Sequence, residues 1–582
     1  MQKQILQFTV SANDGFDAVL KNQNEKDGVG VYTFELLWNK DGIDDKTEFT
    51  INWSASMVDT MYFWSPGARF DRKINAEWCG YNDAMISRNA PVYCYHNGQS
   101  TNHTTIAISE CAKLTYFKGG VSEYTGELNF SLRIPVKQYT NLSSATISIR
   151  IDEREIPMHK ALDDVRLWWE NDCGMTPAFV PADAKEPVYS FWYSYHRSIN
   201  EKEVEEECAR AKKLGFNVCI VDDGWQCSDK QFGYRYCGDW RPVDDKFPHM
   251  KEHVEAVHKL GMKYILWYSV PFIGIESNNY EKYKDKLLKN IYGGNVGLFD
   301  PRYKEVRDFL VELYKKAIVE WDLDGLKLDF VDCWVDEAGN APYDPKMDIP
   351  ALTDAVDTFM ITVMKELKAI KPDILLEFRQ SYIGPNMRKY GNMFRVGDCP
   401  YDYISNRVGV FDLRMLMGES AVHSDMLMWN ENEKPENAAL QIISVLFAVL
   451  QYSAKLENMT PETFKMSKFW LDFMNEHKDL LLESPLCAYD PHLLYSWAMS
   501  ESDDECMVAV YSIDKCVKPA DKDTIYIANG CMGERVLLEL CGTYDATVKN
   551  CYGDVVAQNT VSANGITSIN VPVGGLVVLK KA

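Results

Sequence analysis

The chain lacks any apolar run approaching the ~18 residues of a membrane-spanning helix; Ile442–Leu450 comes nearest and is half that. The amino terminus, Met1-Gln-Lys-Gln-Ile-Leu-Gln-Phe-Thr-Val, has no apolar core of the secretory kind and alternates like a strand. The expectation is therefore no signal peptide and no membrane span. No CxxC pair and no zinc spacing occurs among the 16 cysteines, which fits free thiols in the reducing cytoplasm and no metal site. Positive charge is short: 62 Lys and Arg face 85 Asp and Glu, for a net charge of -23. That balance argues against nucleic acid and anionic membranes as partners and leaves neutral ligands open. No glycine-rich phosphate loop follows any predicted strand, so the doubly wound nucleotide-binding folds lack support.

What is present describes a large globular chain. Its 582 residues are 46% hydrophobic and 25% charged, enough for roughly three or four domains, or one large barrel with accessory domains. Residues 1–180 read as an all-β region, a β-sandwich, with alternating runs at Thr47–Trp53, Leu128–Ile134 and Ala145–Ile151 and no convincing amphipathic helix. Pro177–Pro187 reads as a linker. Over 186–480 strands and helices alternate. Val188–Ser194 is a strand, Ser198 and Glu201 form a capping box, and Gly215 stops the helix that follows. Eight such strands predict a (β/α)₈ TIM barrel. From 484 to 582 short β runs return as a C-terminal antiparallel β domain.

Barrel strands deliver functional side chains at their C-terminal ends. The fourth, Leu326-Lys-Leu-Asp-Phe330, puts Lys327 and Asp329 on one face, two residues apart. A carboxylate beside a fixed cation stays ionised and can serve as a nucleophile; a structural ion pair is the competing reading. The second strand ends in Asp222-Asp223-Gly224-Trp225-Gln226. Paired carboxylates suit sugar hydroxyls and an indole suits a C–H face; a helix cap, or core packing for Trp225, is the alternative. The sixth ends in Arg395-Val-Gly-Asp398. Asp398 is the natural mate of Asp329, since retaining glycosidases set two carboxyls about 5–5.5 Å apart. Glu377 at the end of the fifth strand, Asp402 just past the sixth and Asp425 after the seventh compete for the acid role. His423 is either a sugar contact or a buried structural histidine.

In order, Phe191-Trp192, Asp222-Asp-Gly-Trp-Gln, Gly238-Asp-Trp, Lys246-Phe-Pro-His-Met, Gly325-Leu-Lys-Leu-Asp329 and Arg395-Val-Gly-Asp398 resemble the clan D α-galactosidases, nearest glycoside hydrolase family 36. The motifs cover about 190–430, and the sandwich–barrel–β plan extends the likeness to the whole chain. The resemblance implies a retaining exo-α-galactosidase without cofactor, acting on α-linked galactosyl oligosaccharides or glycosides. It makes Asp329 the nucleophile and Asp398 the acid/base. Asp222 and Asp223 would bind galactose O4 and O6. Lys327 and Arg395 would lie near sugar hydroxyls, with Trp192 and Trp267 as pocket walls; Trp225, Glu377 and Asp402 complete the expected sugar contacts. Two stretches depart from the family pattern. Glu377-Phe-Arg-Gln-Ser-Tyr-Ile-Gly384 stands where many bacterial members have a Cys-x-Ser-Gly-Gly-Gly-Arg loop, and Leu266–Phe272 lacks an acidic Glu-Pro-Glu pattern. The first faces the sugar's 2-substituent and the leaving group. The family also holds α-N-acetylgalactosaminidases and raffinose-synthase-type transferases, and assembly into a homo-oligomer stays open.

Overall fold

The computed structural model describes residues 7–11, 16–40, 43–44, 46–139, 142–228, 232–336 and 341–582. The first six residues of the predicted N-terminal strand lie outside these; Thr9–Ser11 is a strand. Two sheets face each other in the N-terminal region. One contains Thr9–Ser11, Glu48–Ala55, Leu128–Pro135 and Thr115–Val121; the other contains Phe16–Lys26, Val29–Trp38, Ser144–Asp152, Asn102–Ile108, Val92–His96 and Tyr62–Trp64. Strict alternation makes this possible: every second residue of Val29–Trp38 is buried. Phe34, Leu36, Phe49, Ile51, Phe117, Phe130, Ile147 and Ile149 fill the space between the sheets.

One expectation for this region fails. Met158–Asp172 is a helix, with Met158, Ala161, Leu162, Val165, Trp168 and Trp169 buried. Their three-and-four spacing is the helical stripe, masked in the sequence by the charged residues between. It packs on barrel helix Tyr403–Met417.

The barrel follows, with strands β1 (Val188–Ser190), β2 (Val218–Val221), β3 (Lys263–Ser269), β4 (Gly325–Asp329), β5 (Leu375–Arg379), β6 (Met393–Arg395), β7 (Ala421–His423) and β8 (Gln451–Tyr452). All neighbours are parallel, and β8 returns to pair with β1. The ring closes through a parallel bridge between His423 and Val449. Val188, Val218, Ile220, Ile265, Leu375, Met393, Ala421 and Val449 plug its lower end. Gly325 opens β4 where a Cβ would fall 2.3 Å from the Leu375 carbonyl oxygen, so the close approach requires glycine.

Several boundaries differ from expectation. β1 ends at Ser190, and Trp192–Tyr195 is a helical turn. The cap of the next helix is Asn200, whose side chain accepts from Glu203 N at 3.0 Å, rather than Ser198. A small antiparallel sheet, Phe272–Gly274, Leu287–Ile291 and Val296–Phe299, is inserted after β3 and was not anticipated. The C-terminal sheet runs from Leu486 to Lys581, mostly antiparallel, with Glu505–Val510 parallel to Thr524–Asn529. No described helix is long and apolar enough to cross a membrane.

Candidate active site

Register aims the site. Lys327 lies opposite Trp267 on β3 and Glu377 on β5, and Asp329 lies opposite Ser269. Lys327 and Asp329 thus share the inward face of β4, one layer apart. Phe330 then turns into the left-handed region at φ 63°, and its backbone N–H bonds back to Asp329 Oδ1 at 2.7 Å. Strained backbone of this kind persists where surroundings fix it, as at active sites.

Asp329 is saturated with donors. Arg379 Nε at 2.7 Å and Tyr382 OH at 3.0 Å reach Oδ1; the Trp267 indole N–H reaches Oδ2 at 3.0 Å. Burial pushes this carboxyl up, but Arg379, Lys327 and the Trp267 bond outweigh it and hold the group well below the usual carboxylate range. The cation that touches Asp329 is therefore Arg379. Lys327 instead bonds Asp222 Oδ2 at 2.5 Å, which corrects the expected Lys327–Asp329 pair. The reason is depth: Asp222 ends β2 at the level of Lys327, while Arg379 ends β5 at the level of Asp329.

Adjacent residues on an extended chain point to opposite sides, and the Asp222–Asp223 pair divides accordingly. Asp222 faces Lys327. Asp223 is held by Arg197 Nε at 2.5 Å and Gln226 Nε2 at 2.6 Å, and burial raises its pKa against the Arg197 charge. Trp225 is not a pocket wall. It is wholly buried, donates to the Trp267 carbonyl at 3.0 Å and packs on Trp240, Tyr268 and Trp321. Trp192 stays half-buried, edge-on to His196.

On the other side of the mouth, Arg395 serves three carboxylates. It donates from Nη2 to Asp398 Oδ1 at 2.8 Å, binds Asp425 through Nη1 and sits 3.7 Å from Glu377 Oε1. Asp398 keeps a side chain 54% exposed. Its surroundings in the barrel mouth raise its pKa, but Arg395 and Lys327 outweigh them and leave it lowered. Asp425 is fully enclosed, taking further bonds from Tyr193 OH at 2.9 Å and Cys399 N at 2.7 Å.

The remaining expected contacts fall outside the cavity wall. Glu377 is inside β5 rather than at its end, has no exposure and accepts from Gln451 Nε2; the strand runs two residues further, so Arg379 takes the rim. Asp402 caps the helix Tyr403–Met417, accepting from Ile404 N at 3.1 Å and Ser405 N at 3.0 Å. His423 is structural: Nε2 meets the Ala184 carbonyl at 2.8 Å, and burial lowers its pKa to about 4. Arg379, Tyr382, Tyr193 and Arg197 were missed. For Arg379 a signal existed, since it follows Glu377 by two on a strand, as Asp329 follows Lys327. No group of three or more His, Cys, Asp or Glu among the described residues is arranged to hold a metal.

Comparison with known proteins agrees with this fold. A family model described as Melibiase matches residues 182–389, β1 through β5. The α-galactosidase Mel36A of Lactobacillus acidophilus is 28% identical over 255 residues, which are 41% of this chain and 32% of that enzyme's length. The matched stretch is thus about a third of that relative. Among solved structures, a variant of the family 36 α-galactosidase AgaA from Geobacillus stearothermophilus, bound to 1-deoxygalactonojirimycin, superposes with TM-score 0.67 at 15% identity, covering 98% of this chain and 82% of that one. Another AgaA variant, bound to raffinose, gives TM-score 0.66 at 14% identity over 95% and 80%. Over residues 182–389 the chain is thus similar to the melibiase family, and over nearly its whole length it shares the fold of the family 36 α-galactosidase AgaA.

Proposed function

We propose that the protein is a retaining exo-α-galactosidase. The observation that carries this reading is an ionised carboxylate, Asp329, fixed by four donors at the end of β4, with an exposed second carboxylate, Asp398, past the end of β6. Asp329 attacks the anomeric carbon while Asp398 protonates the departing oxygen; Asp398 then takes a proton from the water that releases the sugar. The proton on Asp398 is loaded as sugar covers its exposed side, because removing water disfavours the charged form. Once Asp329 is esterified its negative charge is gone, and with it a charge that raises Asp398. Asp398 then becomes the base. Among its rivals, Asp402 is committed to a helix cap, and Glu377 and Asp425 are sealed inside.

The site's carboxylates, Asp222, Asp223, Asp329, Glu377, Asp398 and Asp425, outnumber Arg197, Lys327, Arg379 and Arg395, which favours a neutral sugar. Asp222 and Lys327 offer an acceptor and a donor for an axial hydroxyl. The name of Mel36A and the raffinose bound to an AgaA variant support galactose and its oligosaccharides. Sixteen unpaired thiols support a reducing compartment, the cytoplasm.

The test is hydrolysis of aryl α-galactoside, α-glucoside and α-N-acetylgalactosaminide, with product configuration followed by NMR. The α-galactoside should lead in kcat/KM by about 10² or more, release α-galactose first, and be inert to Asp329→Ala. Preference for another sugar, or release of β-galactose, would overturn the reading.

A further inference from the structure

An arginine from outside the barrel stands at its mouth without a carboxylate. Arg69 belongs to the turn 65–71, between the strand Tyr62–Trp64 and Arg72. It is exposed, and its φ of 48° is unusual for a residue with a side chain. Among the described residues its guanidinium has no hydrogen-bond or ion-pair partner. Nη2 stands 3.5 Å from the point where a Cβ on Gly397 would lie, beside Gln380, and Gly397 immediately precedes Asp398.

The turn is fixed from both ends. Trp64 Nε1 and Arg72 Nη2 bond the same buried carboxylate, Asp412 of the helix Tyr403–Met417, at 2.9 Å and 2.8 Å. Its middle rests on Asn89, whose side-chain oxygen is 2.9 Å from a Cβ on Gly67 and whose backbone N–H bonds the Ser381 carbonyl at 2.7 Å. Arg69 is thereby held against the loops after β5 and β6, and a strained residue in a fixed loop is the pattern of a ligand clamp.

We propose that Arg69 forms part of the leaving-group subsite and selects a second sugar there. The inference rests on Asp398 being the acid of the proposed α-galactosidase. The departing oxygen must lie against Asp398, so the group attached to it extends past Gly397 toward Arg69. A guanidinium offers five N–H donors and no acceptor, which matches the several oxygens of a sugar, whereas a plain phenyl ring offers it a face to stack on but no hydrogen-bond acceptor.

Two variants test this: Arg69→Gly, which suits the left-handed backbone, and Arg69→Lys, which keeps the charge. The measurement is kcat/KM for an α-galactosyl disaccharide and for phenyl α-galactoside, whose leaving group carries no further acceptor, with inhibition by free galactose. In the glycine variant the disaccharide-to-aryl ratio should fall roughly tenfold or more, as for loss of a hydrogen bond to a charged group. The lysine variant should recover part of it, and the galactose inhibition constant should stay within about twofold. A ratio that does not move, or a galactose constant that moves with it, overturns the role of Arg69 alone. A wild-type protein that hydrolyses neither substrate overturns the α-galactosidase reading and this inference with it.

Discussion

Asp329 receives its donors from four directions: Trp267 on β3, its own neighbour Phe330, Arg379 at the end of β5 and Tyr382 beyond it. Of these Arg379 brings a full charge, and its Coulomb attraction is the largest influence opposing burial. Removing it raises the Asp329 pKa toward the ordinary range. Activity that needs ionised Asp329 is lost as pH falls through that pKa, so the acid limb of the kcat/KM profile of Arg379→Gln should move to higher pH. The aryl α-galactoside profile checks this, and an acid limb that stays in place would remove Arg379 from the electrostatics of the nucleophile. Lys327 does help hold Asp329 ionised, as its place two residues away implies, but the cation in contact with the carboxylate is Arg379. Parity along β4 correctly brought Lys327 and Asp329 to one face, but depth along the barrel axis decides which residues meet, and depth comes from the stagger between strands. Lys327 therefore met Asp222, and Arg379 met Asp329.

At the scale of elements, the turn 65–71 and the helix Tyr403–Met417 are joined through Asp412, whose exposure is 1%. Arg72 Nη2 contacts both its oxygens, at 2.9 and 2.8 Å, and Tyr495 OH adds a bond at 2.5 Å. Asp412→Asn would leave the Arg72 charge buried without its counter-ion, a change that costs about 3–5 kcal/mol in buried pairs. Denaturant unfolding should show that loss, and a variant within ~0.5 kcal/mol of wild type would mean the pair is not needed. Nothing in the sequence marks Asp412, because its partners lie from 83 to 348 positions away. Strands and helices were legible for the opposite reason: Val29–Trp38 and Lys304–Trp321 declare their periodicity within a few residues. Strand ends were less so. Glu377 reads as the end of β5 because the apolar run Ile374–Leu376 stops there, and Trp225 as a wall because an indole after a strand end has the same local pattern in a pocket and in a core. Asp402 followed the same confusion, since a helix cap and a sugar contact both need an aspartate just past a strand.

Across the whole molecule, buried histidines set a pH dependence. His96 in the N-terminal sheets, His159 in the helix Met158–Asp172 and His423 on β7 are each lowered from 6.5 to about 4, chiefly by burial. Each binds fewer protons folded than unfolded below its ordinary pKa. Their contribution to stability is therefore complete above about pH 6.5 and is lost as pH falls toward about 4, roughly 3 kcal/mol apiece. Calorimetry should show Tm falling through that window, these three histidines together taking up roughly three protons on unfolding at pH 5; a flat Tm from pH 7 to 4.5 would contradict it. The same scans should show a single transition, and the cluster around Asp412 says why. Trp64 and Arg72 come from before residue 180, Asp412 from the barrel and Tyr495 from beyond 484. Someone wishing to harvest the barrel as a stand-alone catalyst would cut at those two places. Either incision strips a buried carboxylate of partners and lays the apolar surface around it open to water. The chain can be trimmed at its margins, but it has no seam along which it can be divided.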